Sequence, residues 1–293
     1  MALSDILGLD AHIPDGVYPD MDERDYRAQR HYVSTSNLKK IHCPSEFLAD
    51  ITGQAKMPDT DCLKKGRRAH ERILEELKFM NSYGVLQGNE NDGRTKEGKE
   101  ARARMQEKGL IPLRTDESDM YEEIQMAFWN LPGMHDKYSD AMTEASLFVN
   151  NFRQGIHAKC RIDMWHQESG TVIDLKTTRP GGSSPYEFAK TSRRLKYAWQ
   201  QASYTKMAAR LGHEIKRWIW VVVEKAAPYT AAFYEFGPAD VKRANNEVNA
   251  AWDSLESCVR LNSWPSHTPN EPMLISLYGD QEGVGRGLSN QAA

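Results

Sequence analysis

The chain has 293 residues, 40% of them hydrophobic and 27% charged, a soluble globular composition that excludes collagen-like, coiled-coil and wholly disordered classes. Lys+Arg against Asp+Glu is 38 − 41 = −3, which excludes a protein that coats nucleic acid with its whole surface but leaves room for a local basic groove. The longest apolar runs are short, such as Trp218–Val223, far from the ~20 residues of a membrane span. No membrane partner is expected.

In chain order, residues 1–30 are polar and acidic and read as an N-terminal arm. Asp5, Asp10 and Asp15 stand there without a basic flank, which argues against a secretory leader and for the cytoplasm. Ser34-Thr35-Ser36 caps a short helix through Ile41. An amphipathic pattern predicts a helix over 61–80, with Leu63, Ile73, Leu74 and Leu77 as its apolar set, and further helices over 96–108 and 116–130. Strands are predicted over 143–150, 156–166 and 171–177, with Gln167–Gly170 turning between the last two. A helix over 195–211, strands over 217–224 and 229–236, and a long helix over 238–261 complete the pattern. The order implies an α/β (α+β) fold with a central mixed β-sheet flanked by helices and a helical N-terminal elaboration. One domain is expected over 31–266, followed by a polar C-terminal tail over 267–293.

Four cysteines, Cys43, Cys62, Cys160 and Cys258, are widely spaced and form no CxxC pair. That spacing fits free thiols in a reducing compartment better than a zinc or iron–sulfur site.

The chemistry concentrates in Thr171–Thr177. Asp174 and Lys176 are two apart on a strand and so share a face, while Ile173 and Leu175 face the core. Across the Gln167–Gly170 turn an antiparallel partner brings Asp163 opposite Asp174. Two carboxylates beside a lysine call for a compensating hard cation such as Mg²⁺, which can clamp a phosphate and activate water. The competing reading is a structural ion pair on an exposed sheet face. Further along, Gln200 and Tyr204 lie i,i+4 on one helix face. From Lys176 to Arg217 ten Lys/Arg stand against two Glu, a local +8. A histidine, His70, falls inside the first long helix four residues after Gly66. Taken alone, a histidine there is more often a surface or packing residue than a ligand.

Gly66-x-x-x-His70, Asp163, Asp174-x-Lys176 and Gln200-x-x-x-Tyr204, in that order, resemble the PD-(D/E)xK nuclease superfamily and its RecB-like branch. Tyr32–Lys40 followed by Cys43-Pro44, with Gly16-Val17-Tyr18 and Trp264-Pro265, is similar to the RecE-type exonucleases (exodeoxyribonuclease VIII) of phages and prophages. The resemblance spans about residues 14–266. It implies a restriction-endonuclease-like core in a protein of the bacterial cytoplasm. His70, Asp163, Asp174 and the Leu175 carbonyl would be metal ligands, with Glu144 as a further acidic position and Lys176 as the catalytic lysine. Asp174 stands where many relatives have Glu, a shorter reach with the same chemistry. Gln200 and Tyr204 would position DNA, and Arg179, Arg193, Arg194 and Lys196 would grip its phosphates. The implied cofactor is Mg²⁺, with Mn²⁺ as a substitute and two ions in the site. The implied activity is a 5′→3′ exonuclease on linear double-stranded DNA. It would leave 3′ overhangs for recombination by single-strand annealing, as a homo-oligomeric ring with a RecT-like annealing protein as partner. A Cas4-like or RecB-like nuclease of different polarity, and a non-catalytic DNA-end-binding protein, remain open at this point.

Overall fold

A computed structural model of the chain describes residues 13–55 and 60–267. The proposed tail beyond 267 and the first twelve residues of the proposed arm lie outside the described residues. The strands are β1 (Gly16–Tyr18), β2 (Tyr32–Val33), β3 (Tyr83–Val85), β4 (Ile111–Leu113), β5 (Met142–Arg153), β6 (Ile156–His166), β7 (Thr171–Thr178), β8 (Arg217–Glu224) and β9 (Ala231–Tyr234). The helices are α1 (Glu23–Ala28), α2 (Thr35–Leu38), α3 (Pro44–Ile51), α4 (Asp61–Leu74), α5 (Glu76–Ser82), α6 (Lys96–Glu107), α7 (Thr115–Trp129), α8 (Met134–Tyr138), α9 (Pro185–Arg194), α10 (Tyr197–Arg210) and α11 (Pro238–Leu261).

The main sheet runs β1-β5-β6-β7-β8-β9, with β2 added beside β6. β5, β6 and β7 are antiparallel neighbours, and β7 then pairs in parallel with β8 along its whole length. A parallel neighbour requires a crossover, and α9 and α10 supply it. β3 and β4 form a separate two-stranded parallel sheet, with α6 against it. Among the described residues no helix is long and apolar enough to cross a membrane.

Each face of the sheet carries a helical layer. Leu38, Phe47, Trp199, Met207, Val248, Trp252 and Leu255 cover one face, against Ala145, Leu147, Cys160, Ile162, Val172, Trp220 and Val222. On α11 the buried positions 244, 248, 251, 252 and 255 repeat at helical spacing. On the other face Ala69, Ile73, Tyr121, Ile124 and Phe128 pack on Met164, Ile173, Leu175, Val221 and Val223. A fully buried aliphatic or Phe side chain in such a layer contributes about 1.5–3 kcal/mol relative to exposure.

The sequence pattern resolves differently in the fold at several places, α9 (Pro185–Arg194) being a helix where none is predicted. The helix predicted over 61–80 is broken at Glu75 into α4 and α5 (φ −134°, ψ 52°). The segment expected as an arm contributes β1, which pairs antiparallel with β5, and α1. Its polar sequence hides this because it is held by cations beneath it. Lys159 donates through Nζ to the carbonyls of Tyr26 and Gln29, both at 2.7 Å, and Arg161 Nη1 donates to the Met21 carbonyl at 2.9 Å.

Lys159 is 5% exposed, and burial pushes its ammonium down to about 7. Between that value and the ordinary lysine range of the unfolded chain, the unfolded state binds more protons, so stability rises with pH. Urea unfolding of wild type and Lys159→Met at a series of pH values is expected to show their difference moving in favour of wild type from pH ~7 to ~10. A difference independent of pH would mean that Lys159 titrates normally in the folded protein.

Candidate active site

The site grows from a fork between β6 and β7. The two strands pair as Thr171↔His166, Val172↔Trp165 and Ile173↔Met164, which makes Asp174 and Asp163 the next opposing positions, as the sequence predicts. There the backbone ladder stops. The Leu175 amide donates instead to Asp163 Oδ2 at 2.8 Å. A residue in a strand points its N–H and C=O to the same side, so the Leu175 carbonyl also faces the fork. The opposite edge of β6 is filled by β5, and β2 occupies the near edge only at His157 and Ala158.

The second local device lies between β5 and β6. Thr143↔Met164 and Ala145↔Ile162 are paired on either side of Glu144 and Asp163. Ala158, Cys160 and Ile162 face one core, yet Met164 faces the other; on β5, Ala145 and Leu147 and then Met142 show the same slip. Both strands therefore rotate by one residue at the same place, and the register survives. Glu144 takes the left-handed backbone that this requires, with φ 50°. A non-glycine residue there is disfavoured and is found where surrounding structure imposes it, often at functional sites. The twist brings Glu144 and Asp163 to one place.

Helix α4 adds the third group. Thr60 caps it, with the Leu63 amide donating to Thr60 Oγ1 at 3.4 Å. A Cβ on Gly66 would lie 3.4 Å from Thr177 Oγ1, so the helix runs at contact distance from β7. One turn on, His70 lies on the same face, with Nδ1 3.9 Å from Asp163 Oδ2. One ligand atom from each of His70, Glu144 and Asp163 lies within 4.8 Å of the other two.

Asp174 is the hub of a second group. It is 1% exposed and accepts from Lys176 Nζ through Oδ1 and from Gln200 Nε2 through Oδ2. Lys176 also lies over aromatic faces, 5.1 Å from the Tyr197 ring centroid and 5.3 Å from that of Trp220. Burial opposes its charge, but Asp174 and Asp163 overcome this and hold the ammonium above the usual lysine range. Burial pushes the Asp174 carboxyl up to about 7, against the pull of Lys176. Burial and the charge of Asp163 push Glu144 up to about 8. Burial, and then Lys176, pushes His70 down to about 4. His70 is thus a neutral imidazole, and the carboxylates resist ionising together. Nitrogen and oxygen donors crowded in this way fit a divalent cation, whose charge would relieve the repulsion. His70, Glu144 and Asp163 would hold it, with Asp174 and the Leu175 carbonyl at the same fork.

The cleft in front of these groups has a volume of about 650 Å³ and a wall of Arg67, Arg179, Arg194 and Lys225. Of the cations expected to grip phosphate, Arg179 and Arg194 line this cleft. Arg193 and Lys196 do not; they line a separate groove against α11 with Trp199 and Arg243. Tyr204 is mostly buried, edge-on to Trp218 with ring centroids 5.9 Å apart. Its share in the site is through the Gln200 helix rather than through an exposed hydroxyl.

Five site residues were missed in the sequence: Arg67 and Lys225, which line the cleft, and Arg161, Tyr197 and Trp220. Arg161 Nε donates to Glu144 Oε2 at 2.6 Å and so orients that carboxylate; its signal was its place two residues before Asp163. Tyr197 and Trp220 form the aromatic bed of Lys176, and only the register of β7 with β8, which pairs Asp174 with Trp220, could reveal the latter.

Residues 34–271 match the family described as PDDEXK-like domain of unknown function (DUF3799). The chain belongs to this family. No curated protein matches the sequence. Among solved structures, the fold is similar to that of a candidate exonuclease from Eubacterium rectale, with a TM-score of 0.59 at 15% identity over 88% of this chain and 96% of that one. A phage-related exonuclease from Haemophilus somnus 129PT aligns over 79% of this chain and 96% of its own at 14% identity, with a TM-score of 0.29, too low to inform the fold. The α/β core with its mixed sheet is therefore that of the PDDEXK-like class.

Asp163→Asn keeps an amide oxygen for the Leu175 N–H while removing a charged ligand. Calorimetry is expected to show an unchanged fold and Mn²⁺ affinity lower by roughly tenfold or more. His70→Ala should weaken Mn²⁺ more than Mg²⁺, because imidazole is the softer donor. Equal affinities in His70→Ala and wild type would reduce His70 to a packing residue.

Proposed function

We propose that the protein is a divalent-metal-dependent nuclease that digests linear double-stranded DNA from its ends. The observation that carries this reading is the convergence at one strand fork. His70, Glu144 and Asp163 come within 4.8 Å of one another at a cleft that Arg67, Arg179, Arg194 and Lys225 also line, and Lys176 is held on Asp174 at the same fork. When bound, a divalent ion supplies Lewis-acid polarisation of the phosphate and a lowered pKa for water. Lys176 is charged and its ammonium can donate to the attacking water or to a phosphate oxygen, offsetting the negative charge that builds on phosphorus. Asp174 and the aromatic bed hold that ammonium in place, and Gln200 fixes the second Asp174 oxygen. The water oxygen bonds to phosphorus, the bond to the 3′ oxygen breaks, and a 5′-phosphate and a 3′-hydroxyl result. The cleft arginines suit phosphate, which their planar guanidinium groups meet with paired hydrogen bonds.

The finer reading rests on the resemblance of the motifs to RecE-type exonucleases. It has the 5′-ended strand resected and a 3′ overhang left for recombination by a RecT-like annealing protein. It has Mg²⁺ as the ion, Mn²⁺ as a substitute and two ions in the site, and it has the protein working as a homo-oligomeric ring around DNA in the bacterial cytoplasm. Arg179 and Arg194 are the cleft residues suited to a terminal 5′-phosphate.

Lys176→Ala is expected to lower the rate of duplex digestion by about 100-fold or more, with DNA binding near wild type and a lower melting temperature, because Asp174 loses its buried partner. A variant that digests at wild-type rate would remove Lys176 from the reaction. For polarity, duplexes labelled on one strand and carrying 5′-phosphate or 5′-hydroxyl ends are compared with closed circles. Loss of the 5′-ended strand, slower digestion of 5′-hydroxyl ends and intact circles are expected. The preference for 5′-phosphate should fade as salt rises, because phosphate contacts release counterions. Digestion from 3′ ends would overturn the polarity and leave the nuclease reading standing.

A further inference from the structure

A second group of metal-ligating side chains lies away from the cleft, where the chain beyond α11 returns to α3. Trp264 stacks on Phe47, with ring centroids 5.9 Å apart and planes 11° from parallel, and the Ser45 amide donates to the Pro265 carbonyl at 3.1 Å. These contacts bring His267 to the N-terminal turn of α3. There one ligand atom from each of Cys43, Glu46 and His267 lies within 4.8 Å of the other two. Cys43 is 3% exposed and occupies the cap position of α3, yet its side chain makes no capping hydrogen bond. Its sulfur faces the Ser45 hydroxyl at 3.3 Å.

His42 stands beside them, its ring centroid 5.8 Å from that of His267. His42 Nδ1 lies 2.8 Å from the Lys39 carbonyl. A carbonyl only accepts, so Nδ1 carries the proton and Nε2 keeps its lone pair. This is the arrangement in which a backbone carbonyl orients a metal-binding imidazole.

We propose that Cys43, Glu46 and His267, joined by His42, form a second metal site that takes zinc and clips residues 264–267 onto α3. The donor chemistry selects the ion. A thiolate and imidazoles are soft to borderline donors that suit Zn²⁺ and not Mg²⁺, in contrast to the carboxylate-rich cleft. Zinc bonds of about 2.0–2.3 Å in a tetrahedron put donor atoms about 3.4–3.8 Å apart. Closing from 4.8 Å requires rotation of Glu46 and His267, both of which are exposed, and His42, which lies outside that group at a ring-centroid distance of 5.8 Å from His267, must turn inward to become the fourth ligand. Binding releases the Cys43 thiol proton to solvent, leaving thiolate on the metal. Cysteine spacing could not suggest the site, because its other ligands are not cysteines and one comes from 221 positions beyond Glu46.

The test uses cobalt, whose bond to a thiolate gives a near-ultraviolet charge-transfer band that oxygen and imidazole ligands do not. The full chain, freed of metal by chelation, is titrated with Co²⁺ and then with Zn²⁺ as wild type, Asp163→Asn, Cys43→Ser and His267→Ala. One thiolate-bound Co²⁺ per chain, displaced by Zn²⁺, is expected in wild type and in Asp163→Asn. His267→Ala should bind Co²⁺ at the thiolate roughly tenfold or more weakly, and Cys43→Ser should lose the band. His267 is exposed, so its variant stays informative if Cys43→Ser fails to fold. No thiolate band in wild type, or a band of wild-type affinity in His267→Ala, would overturn the proposal.

Discussion

Asp163 does the work of a backbone carbonyl. Its carboxylate accepts the Leu175 amide at 2.8 Å, at the point where β6 and β7 would otherwise continue their ladder. A buried amide left unpaired costs about 1–3 kcal/mol, so the side chain is what lets the strands part without that penalty. The opening admits His70 from α4 and leaves the Leu175 carbonyl facing the same space. Asp174, on the far tine, is left free of β6 and turns to Lys176 and Gln200. A single hydrogen bond thus separates an ordinary three-strand meander from a strand fork that concentrates charge. The cost of that concentration is visible in the raised carboxyls of Glu144 and Asp174, at about 8 and about 7.

Much of this was legible before the fold was seen. Strands β6 and β8 and helix α11 begin and end where hydrophobic alternation and helical spacing place them, because those segments are buried on regular faces. The pairing that sets Asp163 opposite Asp174 followed from the short Gln167–Gly170 turn, since a tight turn leaves one register. What escaped had physical causes of a different kind. α9 begins with Ser184 and Pro185, and the Glu187 amide donates to the Ser184 hydroxyl; its ten residues bury only Phe188 and Ser192, too few to show a hydrophobic period. The paired twist at Glu144 and Asp163 leaves no trace in residue type, because a glutamate adopts the backbone a glycine would favour. The split of neighbours, with Arg194 in the cleft and Arg193 in the groove against α11, depends on helix phase. Consecutive residues on a helix point about 100° apart, and charge counting does not see that.

The likeness of fold at 15% identity fits this division of labour. Apolar residues of similar size can be exchanged in the two helical layers with modest cost, provided volume and pattern persist. The fork tolerates far less. A carboxylate must sit opposite a strand amide, a lysine must sit two residues beyond the second carboxylate, and a helix must pass close enough to β7 to deliver an imidazole.

The layering itself has a consequence for how the molecule assembles. His70 arrives from the layer that holds α4 and α7, while Gln200 belongs to the layer of α10 and α11. The groups meet only through the gap in the sheet, so neither layer can make the site by docking alone. Chain segments from Glu144 to Gln200 and back to His70 must all have found their places. A divalent ion held by His70, Glu144 and Asp163 would therefore need α4 docked on the finished β5–β6 pair before it could bind. By mass action such an ion would draw the population toward the completed fold.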